Sequence, residues 1–182
     1  VVPNLILDAE PGELFEVRQI AAIVPAPERP ASRPLAAALE YAIDELHVAD
    51  VIVCGHDRCG GLAALLNGGA SAESELAGWL DEASIDEALR GALRSLPPSR
   101  AVETFTKRQL DTLARYPVVA RALGEGRVTL HTWIYDVEDG RVRACTEDGT
   151  FRATVGDRPR RRARDHRRVR GRRVPRDSLQ RE

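Results

Sequence analysis

The stretch Val51-Ile52-Val53-Cys54-Gly55-His56-Asp57-Arg58-Cys59-Gly60-Gly61 gathers the side chains best suited to chemistry in this chain. His56 and Cys59 stand three positions apart within it. An imidazole and a thiolate suit Zn²⁺, which takes mixed nitrogen and sulfur ligands in tetrahedral sites. Taken alone, His-x-x-Cys describes a loop histidine beside a buried thiol at least as well. The surroundings add weight. Ala49 to Cys54 is a short, Val-rich apolar run that reads as a buried parallel strand. Ligands of open α/β sheets bind at the carboxyl ends of such strands. Gly55 and Gly60-Gly61 would let the backbone turn tightly from strand to helix.

A buried strand needs neighbours, and the rest of the chain supplies candidates. Val1 to Asp8, led by Pro3, reads as one or two helical turns, and Pro11-Gly12 as a turn. Glu13 to Ile20 alternates around Leu14, Phe15 and Val17 and is expected to be a strand. Pro25, Pro27, Pro30 and Pro34 mark a loop, after which Leu35, Leu39, Ala42, Ile43 and Leu46 recur at helical spacing. A short helix is expected over Leu62 to Leu66, and helix in two pieces over Ser74 to Leu96. Ser99 to Arg115 reads as a longer amphipathic helix, and Pro117 opens another that ends near Gly124 or Gly126. Arg127 to Val137 is a strand, Asp139-Gly140 a hairpin turn, and Arg141 to Cys145 the return. This order gives an α/β domain: a mostly parallel sheet flanked by helices, with an antiparallel edge strand.

Composition bounds the rest. The 182 residues are 43% hydrophobic and 30% charged, which suits one globular domain, and at 4% aromatic its core must be aliphatic. No apolar run is long enough to span a membrane, and no basic segment followed by an apolar one opens the chain. Three cysteines at scattered spacings make no disulfide framework, so a reducing, cytoplasmic compartment is expected. The chain contains no methionine and opens on Val1-Val2-Pro3, as a chain that starts inside a longer reading frame would. Its net charge of −1 hides a split. Residues 156–182 carry 12 Arg against 4 acidic residues, or +8, and the remaining 15 basic and 24 acidic residues leave −9. Residues 1–155 are therefore read as the folded domain and 156–182 as an Arg-rich tail. The tail lacks aromatics for base stacking and is expected to be disordered rather than a nucleic-acid binder.

Several ordered motifs resemble the β-class carbonic anhydrases. Pro11-Gly12-Glu13-Leu14-Phe15-Glu16-Val17-Arg18 is similar to the family's second strand, and Ala38-Leu39-Glu40-Tyr41-Ala42 with Leu46 to the helix before its metal strand. Val53-Cys54-Gly55-His56 through Cys59-Gly60 matches its second metal motif. Pro117 to Gly126, then Leu130-His131-Thr132-Trp133-Ile134-Tyr135-Asp136 and Gly140, resembles its last helix and strand. The resemblance runs from Val1 to about Phe151 and implies reversible hydration of carbon dioxide to bicarbonate and a proton by a homo-oligomer. It makes His56 and Cys59 two of three protein ligands to a catalytic zinc. Such a zinc lowers the pKa of its bound water toward about 7, and the hydroxide attacks CO₂.

The family's first metal motif, Cys-x-Asp-Ser-Arg, comes directly before a stretch like Val1-Val2-Pro3-Asn4-Leu5-Ile6, and the chain starts too late to contain it. The resemblance thus implies a missing third ligand, a missing acid that orients the zinc water, a missing first strand, and impaired activity. Gln19 and Ala22 stand where the family usually has Asn, and Thr132 where it usually has Gly. Among the other candidates, Cys54 reads as a small buried hydrophobe and Asp57 as a solvated or capping residue of the turn. His131 reads as a packed or half-exposed side chain, His47 as a helix-end cation, and neither Cys145 nor His166 has an expected role. The alternatives are a non-catalytic remnant of the same fold and a related carbonyl sulfide or carbon disulfide hydrolase, which loops around the site would decide.

Overall fold

The computed structural model describes residues 1–83 and 85–154; the 156–182 tail lies outside the described residues. The sheet has four strands in the order β1 (Asp50–His56), β2 (Thr129–Tyr135), β3 (Val142–Cys145) and β4 (Phe151–Ala153). β1 and β2 run parallel in a register that puts Val53 beside Thr132 and His56 beside Tyr135. β2–β3 and β3–β4 are antiparallel. The α/β class with an antiparallel edge is as expected. The edge is wider than the sequence indicated, two strands rather than one, and the sheet is mixed.

Seven helices precede or follow these strands among the described residues: α1 (Pro3–Leu7), α2 (Arg33–Glu40), α3 (Gly60–Asn67), α4 (Glu75–Asp81), α5 (Glu87–Ser95), α6 (Pro98–Ala114) and α7 (Pro117–Gly124). A π-helical turn, Tyr41–Glu45, extends α2. Local chemistry sets the ends. Ser74 and Asp86 cap α4 and α5 by accepting from Ala77 N–H at 3.2 Å and Leu89 N–H at 2.7 Å. Proline opens α6 and α7, where a missing N–H costs nothing. Gly68, at φ 72, ends α3 in the left-handed conformation.

Strand alternation sends Val53 and Gly55 of β1, and Thr132 and Ile134 of β2, to one face, where all four are buried. α6 lies along that face and buries Val102, Phe105, Thr106, Gln109 and Leu113. At one end Ile134 and Phe105 meet Leu62, Leu65 and Leu66 of α3 and Leu93 of α5. At the other, Val53 and Leu113 meet Leu35 and Leu39 of α2 and Val118, Val119 and Ala122 of α7. Each such large aliphatic or aromatic side chain contributes roughly 1.5–3 kcal/mol by leaving water.

Glu13 to Ile20 is not a strand. Its residues pair with no described strand before the chain enters a 3₁₀ turn at Ile20–Ala22. Alternation alone does not make a strand; a ladder partner must satisfy the backbone. Phe15 and Val17 remain 45% and 47% exposed, and Phe15 rests against the Tyr41 ring, their centroids 5.9 Å apart.

Candidate metal centre

β1 delivers His56 at its carboxyl end, and the chain leaves the sheet through Asp57, Arg58 and Cys59 before α3 begins at Gly60. Asp57 still belongs to the sheet by its backbone, its N–H donating to the Tyr135 carbonyl at 3.0 Å. The change of direction falls on Arg58, whose φ of 56 is left-handed. That conformation costs a non-glycine residue roughly 1–2 kcal/mol. The Arg58–Glu138 ion pair, at 2.5 Å and exposed on both sides, returns at most about 1 kcal/mol.

The glycines therefore serve another purpose than the tight turn the sequence suggested. A Cβ on Gly55 would overlap Thr106 Oγ1 and lie 3.2 Å from Ile134 Cδ1, so Gly55 lets α6 rest on the sheet. A Cβ on Gly61 would lie 3.0 Å from both Ala21 Cβ and Ile20 Cγ2, so Gly61 lets α3 close on the 3₁₀ turn. Gly60 faces open space.

His56 Nδ1 lies 2.9 Å from the Asp57 carbonyl oxygen. A carbonyl only accepts, so Nδ1 is the donor, and whenever the ring is neutral this leaves the lone pair on Nε2. Metal-ligating histidines commonly hold their second nitrogen in this way. Cys59 is a free, half-buried thiol packed against the cluster of Leu62, Leu65 and Phe105. The structure thus sets His56 and Cys59 at the two ends of one turn, at the carboxyl end of β1. Among the described residues no group of three or more His, Cys, Asp and Glu is placed to hold a metal ion.

Asp57 departs from expectation. It is neither solvated nor a turn cap: its side chain is 20% exposed and pairs with Arg143 of β3 at 3.0 Å. Arg143 also reaches Glu103 of α6. Desolvation works against the Arg143 charge, but hydrogen bonds and charge from Asp57 and Glu103 prevail and hold its pKa above the ordinary value. Arg143 and Glu103 escaped the sequence reading. The available signal was Glu103 itself, a carboxylate beside Val102 and Phe105 on the buried face of α6, which requires a cation.

Cys54 is half-buried, and burial pushes its thiol pKa up. His131 is a half-exposed side chain whose Nε2 lies 2.7 Å from Asp50 Oδ1. Cys145 is half-buried near the Thr146 carbonyl, at 3.6 Å. His166 lies outside the described residues.

The carbonic anhydrase family model matches residues 1–142. A carbonic anhydrase of Pseudomonas aeruginosa is 38% identical over 85% of this chain and 71% of its own length. One from Synechocystis is 35% identical over 79% of this chain and 55% of its own length. The chain belongs to the β-class carbonic anhydrases. The solved β-carbonic anhydrase CcaA superposes with a TM-score of 0.71 at 34% identity, covering 85% of this chain and 78% of that one. A tetrameric β-carbonic anhydrase of Sordaria macrospora gives 0.69 at 26% identity, covering 82% and 75%. In this β-class carbonic anhydrase His56 to Cys59 lie where β1 meets α3. No described helix is long and apolar enough to cross a membrane.

Proposed function

We propose that this chain carries part of a zinc site for the reversible hydration of carbon dioxide to bicarbonate and a proton, with His56 and Cys59 as two of its ligands. The observation that carries the reading is the His56 ring held through Nδ1 by the Asp57 carbonyl, which leaves Nε2 as the donor nitrogen one turn from the Cys59 thiol. A nitrogen and a sulfur donor fit zinc. When bound, zinc supplies a water acidic enough to act as a nucleophile near neutral pH. His56 and Cys59 hold and orient the site; the Arg58 turn sets their separation.

Catalytic zinc sites take three protein ligands and keep a fourth position open. The described residues offer two, and by themselves these would hold zinc weakly and support slow CO₂ hydration. The Cys-x-Asp-Ser-Arg motif that the family resemblance puts before Val1 would supply the third. A reducing cytoplasm suits the three free cysteines, and assembly into homo-oligomers is the reading favoured by the tetrameric Sordaria relative. The test is zinc content and stopped-flow CO₂ hydration of the 182-residue chain and of one extended upstream through that motif. Substoichiometric zinc in the first, and stoichiometric zinc with fast hydration in the second, are expected. A zinc-loaded extended chain without CO₂ hydration would overturn the substrate assignment.

A further inference from the structure

Arg143 and Asp57 are 86 residues apart in sequence, yet Arg143 Nη2 donates to both Asp57 carboxylate oxygens, at 3.2 and 3.0 Å. Arg143 Nη1 donates to Glu103 Oε1, and Glu103 Oε2 accepts from Arg100 Nη1 at 2.7 Å. The Glu103 side chain is only 7% exposed and that of Arg143 24%. One guanidinium therefore ties the loop after β1 to α6, from a position on β3. Arginine is the side chain able to do this, because its rigid fork presents several donors in one plane.

Every polar group of Asp57 is engaged. Its N–H donates to Tyr135, its carbonyl accepts from His56 Nδ1, and its carboxylate accepts from Arg143. Holding the carboxylate and the N–H fixes the residue, and with it the carbonyl that sets the His56 tautomer. We propose that Arg143 is a positioning residue for the metal loop: by clamping Asp57 it holds the His56 ring with Nδ1 protonated and Nε2 free. The metal consequence rests on the reading of His56 and Cys59 as zinc ligands; the clamp itself does not.

The test uses the full chain, metal-free, with Arg143→Ala, Arg143→Lys and wild type compared. Imidazole ¹⁵N shifts at about pH 8.5, where an ordinary histidine is neutral, report the His56 tautomer. Amide exchange reports the loop. Wild type should show the Nδ1–H form. Arg143→Ala should mix the tautomers and speed exchange at Asp57 by roughly ten-fold or more, with α7 amides changed less than two-fold. Arg143→Lys keeps the charge but cannot fork across two carboxylates, so it should fall between; it also serves if the alanine variant does not fold. Zinc affinity, by chelator competition, should drop about 10–100-fold in Arg143→Ala, as losses behind metal-ligating histidines do. An unchanged tautomer and unchanged Asp57 exchange in the folded variants would overturn the clamp. A tautomer that follows Arg143, in a protein that binds no zinc even when extended upstream through the Cys-x-Asp-Ser-Arg motif, would support the clamp and refute the metal reading instead.

Discussion

Gly55 and Thr106 share a space that admits only one side chain: a Cβ on Gly55 would overlap Thr106 Oγ1. Thr106 is 2% exposed, and its hydroxyl donates to the Val102 carbonyl at 2.8 Å within α6. β1 thus rests on α6 at the residue immediately before His56. Overpacking such a contact costs roughly 1–3 kcal/mol, so Gly55→Ala should destabilise by about that much. Adding Thr106→Ala should recover most of the loss, because the Val102 carbonyl remains a helix acceptor. Urea unfolding of the two single variants and the double variant checks this; strictly additive losses would count against the shared space.

The helices and the strand that leads into His56 were legible because each carries its own local signal. The Leu35, Leu39, Ile43 spacing, the paired prolines at Pro97-Pro98 and the Val-rich run into Gly55 need no distant partner to be read. Glu13 to Ile20 misled because alternation reports one face of a strand and says nothing of the ladder. β4 was missed because Phe151–Ala153 is three residues long and exists only through pairing with β3. His56 and Cys59 were visible as a motif. The Asp57–Arg143–Glu103 link was not, since its members come from the loop after β1, from β3 and from α6, and no spacing rule connects them.

Ala21 and Ala22 carry φ values of 60 and 53 in the 3₁₀ turn that α3 packs against. Alanine is disfavoured there, and Asn tolerates the left-handed region better. Ala22 is also a position at which the family resemblance implies Asn. Ala22→Asn should therefore stabilise the protein by about 0.5–1 kcal/mol, a rise in Tm of roughly 1–4 °C for a chain of this size. Differential scanning calorimetry decides it, and a lower Tm would show that the Ala22 methyl makes packing contacts worth more than the strain.

Tyr116 is 1% exposed, and its hydroxyl donates to the Pro25 carbonyl at 2.7 Å. Burial pushes its pKa up to about 12, with the Ser32 hydroxyl opposing and the Glu28 charge adding. An unfolded tyrosine ionises near 10, so between these values the folded state binds the extra proton. This contribution is fully present below about pH 10 and is lost as pH rises toward 12, at most about 3 kcal/mol. Urea midpoints measured from about pH 9 to 11.5 should fall in wild type and fall less in Tyr116→Phe. Equal slopes in the two proteins would contradict the assignment.

The two candidate ligands should separate from the neighbouring thiols on metal titration. His56 offers Nε2 because Asp57 holds Nδ1, and Cys59 offers a half-buried thiol at the start of α3. Cys54, two residues before His56, is also half-buried, but its thiol pKa is raised by burial, which disfavours the thiolate a metal needs. Cys145 lies on β3, separated from β1 in the sheet by β2. With Co²⁺ as a spectroscopic stand-in, the wild-type chain should show a thiolate-to-metal charge-transfer band. Cys59→Ser should abolish it, and His56→Ala should weaken cobalt binding by at least about ten-fold. Cys54→Ala and Cys145→Ala should leave it within about two-fold. Chelator treatment should remove the band from wild type with little change in far-UV circular dichroism, because the helices pack around α6 through apolar side chains. A band that survives Cys59→Ser but disappears with Cys54→Ala would move the sulfur ligand into the strand and overturn the reading of Cys54 as a buried hydrophobe.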